Sequence, residues 1–217
     1  MPDLENSFDP DLLTTVEPDF FMDESTEIAP QLLGCYLISE IDGMTTAIRI
    51  TETEAYPGTD PASHAYLQEI PTERTSIHYS TGGPLYIYLV MGLHIMTSVV
   101  VNKKGLSDVV FIRSGEPVLG QDIMKARRGI EDTRLLTNGP GKLSQALGIG
   151  REHNGILIHQ ANSTIRIQRP TTMPELQIGT GPRINLGVSK ARTPHEAQLA
   201  IERPWRFFID GSEYLSR

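Results

Sequence analysis

The sequence is poor in cysteine and in long hydrophobic runs, and lysine and arginine are missing from its first 48 positions. Cys35 is the only cysteine, which excludes an intramolecular disulfide and a thiolate metal cluster and fits a reducing cytoplasm. The longest apolar stretches are short and interrupted, and the acidic N-terminus lacks the apolar segment of a signal peptide. We therefore expect a cytoplasmic protein that has no membrane-spanning helix.

Charge is distributed unevenly along the 217 residues, whose net charge is −8. Residues 1–48 hold eleven Asp and Glu, whereas residues 49–217 hold sixteen acidic and nineteen basic residues, a net of +3. Because the first 18 residues are acidic and contain proline, we expect a loose acidic arm over 1–18 and one domain over 19–217. A mildly basic body is compatible with nucleic-acid binding but supports it only weakly.

The order of secondary-structure patterns predicts an α+β fold. Strand-like residues on both sides of Asp42-Gly43 predict a hairpin, because Asp-Gly suits a tight primed turn. Residues 84–101, broken by Gly92, should pair with residues 108–117. Further segments predict short helices at DESTEIAPQLLG, VLGQDIMKARRG and NGPGKLSQALGIG, short strands at GILIHQ and TIRIQRP, and then a loop before RPWRFFIDG. Because regular βαβ alternation is absent, we expect a single domain with a largely antiparallel, curved sheet, a protruding β-hairpin and surrounding helices.

The stretch RITETEAYPGTDPASHAY concentrates polar and aromatic side chains at the end of a predicted strand. Glu52, Glu54 and Tyr56 share one face of that strand, because side chains alternate with a period of two. Both glutamates could simply be exposed to solvent. Glu54, however, lies next to the Pro57-Gly58 turn, where a ligand can approach the backbone, and this favours a role in chemistry.

His64 and Arg113 are the other side chains that need an explanation. A metal site formed by His64 with Glu54 or Asp60 has little support, because HxH, HExxH and cysteine pairs are absent. Arg113 ends an apolar strand and therefore needs a carboxylate or phosphate partner. That partner could belong to a structural salt bridge or to an active site near Glu54. The sequence also lacks a GxSxG elbow, a P-loop and a dinucleotide-binding fingerprint.

Seven blocks of the sequence, taken in order, resemble the alkyladenine (3-methyladenine, N-methylpurine) DNA glycosylase family. The blocks are LLGCYLI, ITETEAYPGTDPASHAY, GGPLYIYLVMGLH, FIRSGEP, NGPGKLSQALGI, PRINLGV and RPWRFFIDG. They cover most of the chain from about residue 20 onward, and ETEAY and GPxKLxQAL are the more specific motifs. The resemblance implies that a damaged purine is flipped out of duplex DNA and that its N-glycosidic bond is hydrolysed.

The resemblance also implies roles for the residues that match the family motifs. Glu54 would be the general base that activates water against C1′ of the sugar. Arg113 and the carbonyl of Ile184 would help to hold that water. The walls that stack on and orient the flipped base would be Tyr56, His64 and Tyr88.

Three positions depart from the family pattern and put the substrate range in question. Met91 occupies the place of the tyrosine that the family inserts into the minor groove. Ser98 stands where a pocket asparagine distinguishes damaged from normal guanine. Asn185 replaces the glycine that follows the water-holding carbonyl.

The resulting expectation is a monofunctional DNA glycosylase of base-excision repair that uses water, without a metal or cofactor. No lysine falls in a block that forms the pocket, which disfavours lyase chemistry. We expect damaged double-stranded DNA as the partner, no membrane association, a monomer, and association with the nucleoid if the source is bacterial. Two rivals stay open: a non-catalytic DNA-lesion or RNA binder on the same fold, and a hydrolase of free nucleosides.

Overall fold

A computed structural model describes residues 8–68 and 70–216, within which nine β-strands and four α-helices form. The strands are β1 Leu13–Thr15, β2 Tyr36–Ile41, β3 Met44–Tyr56, β4 Leu85–Val90, β5 His94–Val101, β6 Asp108–Leu119, β7 Ile165–Pro170, β8 Ile178–Gly181 and β9 Arg206–Ile209. The helices are α1 Ser25–Gln31, α2 Gln121–Arg128, α3 Pro140–Leu147 and α4 Pro194–Glu202. Short 3-10 turns are Pro10–Leu12, Pro18–Phe21, Ser76–Tyr79, Thr133–Leu135 and Arg151–His153.

All strands join one antiparallel sheet, which confirms the predicted α+β fold. The main order is β1-β7-β2-β3-β6-β5-β4, and β9 pairs with β3 and with β8. The long central strand β3 changes partner along its length: residues 44–49 pair with β2 and residues 52–54 pair with β9. Its other edge pairs with β6, with shifts of register on both sides of Glu52. The C-terminal end of β3 is therefore enclosed by β6 and β9.

Tight turns define two hairpins of the sheet. Asp42 and Gly43 have φ values of 55° and 72° between β2 and β3, which confirms the primed turn predicted for Asp-Gly. Met91 and Gly92 have φ values of 52° and 70° between β4 and β5, so the break at Gly92 is a second hairpin turn. The predicted pairing of β5 with β6 is also confirmed.

The three predicted helices α1, α2 and α3 are confirmed. Helix α3 begins at Pro140, where the missing N–H has no helical partner to lose, and it ends at Gly148, whose φ is 72°. All three helices pack on the sheet and enclose the main apolar core with it. Within residues 8–68 and 70–216, no helix has the length and apolar character needed to cross a membrane.

Three expectations about local structure are wrong. GILIHQ is not a strand, because it makes only an isolated bridge between Leu157 and Pro84. The segment expected as a loop contains β8 and α4. The N-terminal arm is not loose over residues 13–16, because β1 pairs with β7 and Val16 is buried in the main core. Residues 1–7 of that arm lie outside the described residues.

Candidate active site

The carboxylate of Glu54 is fully buried at the end of β3 and faces three hydrogen-bond donors. Its Oε1 accepts from the backbone N–H of Ile184 at 2.8 Å and lies 3.2 Å from Nη1 of Arg113. Its Oε2 accepts from the hydroxyl of Tyr56 at 2.8 Å. A carboxylate offers about four acceptor positions, two on each oxygen, so these contacts leave one position on Oε2.

Glu52 is also fully buried, so the possibility that both glutamates are exposed to solvent is wrong. Its Oε1 accepts from Nη1 of Arg206 at 2.9 Å and lies 3.5 Å from Nε of Arg113. Its Oε2 accepts from the backbone N–H of Ser216 at 2.6 Å and from the hydroxyl of Ser114 at 3.1 Å. The residues that enclose it come from β6, from β9 and from the C-terminal end of the chain.

Arg113 connects the two carboxylates from the neighbouring strand β6. Its side chain is only 6% exposed, and its Nη1 faces Glu54 while its Nε faces Glu52. The structure thus brings Arg113 and Glu54 together. An active site near Glu54, one of the two explanations for Arg113 that the sequence left open, requires this contact. Arg113 also makes a buried salt bridge with Glu52, so the structural alternative holds as well, and the part of Arg113 in an active site stays a prediction.

A cavity of about 310 Å³ lies beside Tyr56. This volume is near the lower end for small-molecule sites, which span about 300–1,000 Å³. The four residues predicted to contact a flipped base all line this cavity: Tyr56, His64, Tyr88 and Ser98. Glu54 lies behind this lining and is connected to it by hydrogen bonds to Tyr56, a lining residue, and to Ile184, which precedes the lining residue Asn185.

Aromatic rings form much of the cavity wall. The ring of His64 meets the ring of Tyr88 edge-on, with 4.8 Å between centroids. Tyr86 stacks on Tyr88 at 5.0 Å, and Phe111 lies 6.4 Å from both Tyr88 and Tyr56. Tyr86 and Phe111 were missed from the sequence, although the alternation of Tyr86 and Tyr88 already placed both tyrosines on one strand face.

His64 is held in one orientation by Tyr86 and Arg74. Nε of Arg74 donates to the Tyr86 oxygen at 3.0 Å, and that hydroxyl lies 2.9 Å from Nδ1 of His64. Nη2 of Arg74 also lies 3.3 Å from Nε2 and 3.5 Å from Nδ1 of His64, so Arg74 contacts both the histidine ring and the Tyr86 hydroxyl. Burial, helped by the charges of Arg74 and Lys190, lowers the pKa of His64 to about 4, so its ring is neutral at neutral pH.

Lys190 also lines the cavity, so the pocket has a lysine although none falls in a sequence block that forms the pocket. Its Nζ donates to the carbonyls of His64 at 2.6 Å and Ser63 at 3.2 Å. Burial, and then the charge of Arg74, lowers its pKa. The residue lies two positions after the PRINLGV block, and its place became evident only from the folding of that loop over the His64 segment.

Asp60 serves the structure around the site. Both of its oxygens accept from Nη2 of Arg183 at 3.0 Å, and Oδ2 accepts from Nη1 of Arg203 at 2.7 Å. Arg183 also donates to the carbonyl of Ala55 and lies over the ring of Tyr56, at 4.6 Å from its centroid. Asp60 is thus engaged by arginines rather than by His64, and the described residues contain no group of three potential metal ligands.

The two remaining departures from the family pattern have distinct geometries. Asn185 has a φ of 54°, a left-handed conformation that asparagine tolerates better than most residues other than glycine. Ile184 contacts Glu54 through its N–H, and the role of its carbonyl stays a prediction. Met91 is 88% exposed at the tip of the β4–β5 hairpin, with Leu93 beside it at 78%. Met91 therefore does not pack in a core.

A family model described as Methylpurine-DNA glycosylase (MPG) matches residues 19–213. The chain belongs to this family. Family membership confirms the resemblance noted in the sequence and the enzyme class, a hydrolase of N-glycosidic bonds in DNA that acts in base-excision repair. The roles of individual residues at the site stay predictions.

Similar proteins from three organisms support the same assignment. A protein from Methanoculleus marisnigri is 37% identical, over 94% of this chain and 99% of its own length. One from Natranaerobius thermophilus is 36% identical, over 91% and 96%, and one from Rhodopseudomonas palustris is 39% identical, over 91% and 88%. All three carry the provisional name 3-methyladenine DNA glycosylase.

Proposed function

We propose that the protein flips alkylated or deaminated purines out of duplex DNA into the cavity beside Tyr56 and hydrolyses their N-glycosidic bond with water. The open acceptor position on Glu54 Oε2 carries this proposal. The three groups around Glu54 are all donors, so the carboxylate acts as an acceptor and can take a proton from one further donor, a water molecule. A positioned base of this kind contributes about 10²- to 10⁴-fold to a rate.

The cavity supports a purine as the group that is bound. Alkylated purines are electron-poor and often cationic, and such rings stack favourably on aromatic faces, by roughly 1–3 kcal/mol per base. Tyr56, His64 and Tyr88 supply these faces. Because a damaged base is extruded at a lower cost than a normal one, flipping itself provides part of the selectivity.

A single catalytic carboxylate fits the chemistry of this leaving group. Ordinary glycosidases need a second carboxyl group as an acid, whereas an alkylated purine leaves readily without one. Glu52 is not available as that acid, because its oxygens are occupied by donors from Arg113, Arg206 and Ser216. Glu54 would therefore act alone, with Arg113 beside it.

The exposed tip of the β4–β5 hairpin supports a role in DNA distortion. Met91 and Leu93 project apolar side chains into solvent, and apolar wedges are common in proteins that insert into the minor groove. The wedge would fill the gap left by the flipped nucleotide and oppose its return.

A lysine-dependent lyase is the second candidate, because Lys190 lines the cavity. Burial and the charge of Arg74 lower the Lys190 pKa, but its amino group donates to the carbonyls of Ser63 and His64. A nucleophilic amine would have to leave these contacts, and this favours water as the nucleophile. Borohydride reduction during the reaction distinguishes the two mechanisms. We expect no covalent enzyme–DNA adduct; an adduct that disappears in Lys190→Gln would establish the lyase.

Excision from duplex DNA tests the proposal directly. Hypoxanthine and 3-methyladenine are offered both in duplex DNA and as free nucleosides, with Glu54→Gln as the inactive control. Release from duplex alone supports the proposal. Release from nucleosides alone would identify a nucleoside hydrolase, and lesion binding without any release would identify a non-catalytic binder.

A further inference from the structure

The proposed base is one end of a row of four charged side chains, and the residues at the far end of the row have no direct part in the hydrolysis. Glu54, Arg113, Glu52 and Arg206 are linked in that order, with nitrogen–oxygen distances of 3.2, 3.5 and 2.9 Å. Two carboxylates and two guanidinium groups balance, so the network is neutral as a whole. Isolated buried charges are strongly destabilising, and this balance is what allows four of them to share one site.

The end of the chain closes this network. Residues 212–216, here called the C-terminal tail, follow β9 and bring Ser216 against both Glu52 and Arg113. The Ser216 N–H donates to Glu52 Oε2 at 2.6 Å, and the Ser216 hydroxyl accepts from Arg113 Nε at 3.1 Å. Ser216 is buried, so the tail also separates Glu52 from solvent.

The guanidinium group of Arg113 transmits this constraint to Glu54. The group is planar and rigid, so fixing its Nε fixes the direction of Nη1 as well. Nε is held by Ser216 and Glu52, and Nη1 is the atom that faces Glu54. We propose that Glu52 and Ser216 are positioning residues, which orient Arg113 and thereby Glu54, an inference that rests on the proposed function of Glu54 as the base.

Replacing Glu52 by glutamine should disturb the network even though the shape is kept. The partners at Oε1 are guanidinium groups, and one partner at Oε2 is the Ser216 N–H, all of which can only donate; the other partner at Oε2, the Ser114 hydroxyl, can also accept. In either orientation, the new NH₂ group therefore faces a donor. Arg113 and Arg206 also lose the negative charge between them, and Arg113 is expected to turn away.

Single-turnover excision of hypoxanthine by the full chain, at saturating enzyme, tests the proposal. We expect Glu52→Gln to lower the rate by about 10- to 100-fold, since small displacements in an active site have effects of this order. Lesion-DNA affinity should stay unchanged. Glu116→Gln is the matched control, because Glu116 lies on β6 in a partly exposed pair with Arg49, and its rate should equal that of the wild type.

Ser216→Ala is the second variant, because Glu52→Gln could unfold a buried network. It removes only the hydroxyl that holds Arg113 Nε, and we expect a several-fold lower rate with an unchanged melting temperature. The Nε–H signal of Arg113 in NMR spectra, assigned by its loss in Arg113→Lys, should exchange with solvent faster in both variants than in the wild type.

The rate and the exchange measurement separate the two proposals. A wild-type protein that releases no base contradicts the proposed function, while faster Nε–H exchange in the variants still supports the positioning of Arg113. If the wild type is active and both Ser216→Ala and Glu52→Gln have its excision rate and its rate of Nε–H exchange, the positioning role is wrong. The proposed function is then unaffected.

Discussion

Glu54 is the residue whose removal should affect excision most. Glutamine has nearly the same shape but cannot take a proton from water, and no phosphate contact is lost with it. We expect Glu54→Gln to lower the single-turnover rate by about 10²- to 10⁴-fold, the usual contribution of a positioned base, while binding to lesion DNA is retained. Quench-flow excision assays and fluorescence anisotropy measure the two quantities. A smaller loss of rate in Glu54→Gln than in Glu52→Gln would undo the assignment of the base to Glu54.

His78 should make the stability of the protein depend on pH. It is fully buried at the cavity, and burial, followed by the charges of His64, Arg74 and Lys190, lowers its pKa to about 3. In the unfolded chain its pKa is 6.5, so the unfolded state binds the extra proton as the pH falls. The stabilisation is complete above pH 6.5 and is lost progressively below it, by about 2 kcal/mol at pH 5.

A variant without the titrating ring tests this dependence. His78→Phe keeps an aromatic ring against Tyr86, whose centroid lies 4.2 Å away, but cannot bind a proton. The free energy of unfolding, measured by urea denaturation at pH 7 and pH 5, should fall less between these pH values in the variant than in the wild type. Equal falls would show that His78 does not contribute, and that other groups such as His64 cause the effect.

At the level of elements, the sequence predicted those turns and helix ends that depend only on residues close together in the chain. The Asp42-Gly43 turn and helix α3, with Pro140 at its start and Gly148 after its end, depend on neighbours in the chain and were found. Helix α4 was missed although the sequence contains a signal for its start, a threonine at 193 followed three residues later by a glutamate at 196. In the structure, the hydroxyl of Thr193 caps the helix by accepting from the N–H of Glu196. Strand β8, with the sequence IGTG, lacks any alternation and could not be recognised.

The candidate site also has one part that the sequence predicts and another that depends on contacts between distant parts of the chain. A period of two places Glu52, Glu54 and Tyr56 on one face of β3, and this much follows from the sequence alone. The enclosure of Glu52 by Ser216, 164 positions later, depends on how the chain returns to β3. No local pattern contains that information, which is why Glu52 could be read as exposed and why Lys190 was overlooked.

The β4–β5 hairpin should act as the wedge that keeps a damaged base flipped. Met91 is flexible and lacks a ring, so it should replace lost base stacking less well than tyrosine. We expect Met91→Tyr to raise the flipped fraction of damaged base and to tighten binding to lesion DNA, with a smaller effect on undamaged DNA. Met91→Ala should do the opposite. Fluorescence of a base analogue next to the lesion reports the flipped fraction.

Thermal unfolding of the same hairpin variants provides the control. Because Met91 is 88% exposed, neither substitution should change the melting temperature. Leu106→Ala removes another exposed apolar side chain, in the β5–β6 turn, and should leave flipping unchanged. If flipping is insensitive to Met91 while the fold stays stable, the wedge assignment is wrong.

For the whole molecule, the acidic residues Asp9 and Asp11 lie far from the hairpin that is proposed to enter DNA. Asp9 and Asp11 directly precede β1, at one edge of the sheet, whereas the β4–β5 hairpin forms the opposite edge. Six strand spacings of roughly 4.8 Å place these edges about 29 Å apart. The Debye length is about 8 Å at physiological salt and about 30 Å at 0.01 M. Repulsion between these acids and bound DNA is therefore screened except at low salt.

Charge neutralisation tests this screening without removing β1 from the sheet. Asp9→Asn/Asp11→Asn keeps the cap on the first turn, since asparagine also accepts from the N–H of residue 11. We expect the double variant to tighten binding to undamaged DNA by roughly twofold at 0.01 M salt and to leave it unchanged at 0.15 M. Glu73→Gln is the comparison, because Glu73 is an exposed acid next to Arg74, which contacts the cavity residue Tyr86; this variant should tighten binding at both salt concentrations. Tighter binding by the double variant at 0.15 M would instead mean that the acidic segment lies against the DNA and competes directly with its phosphates.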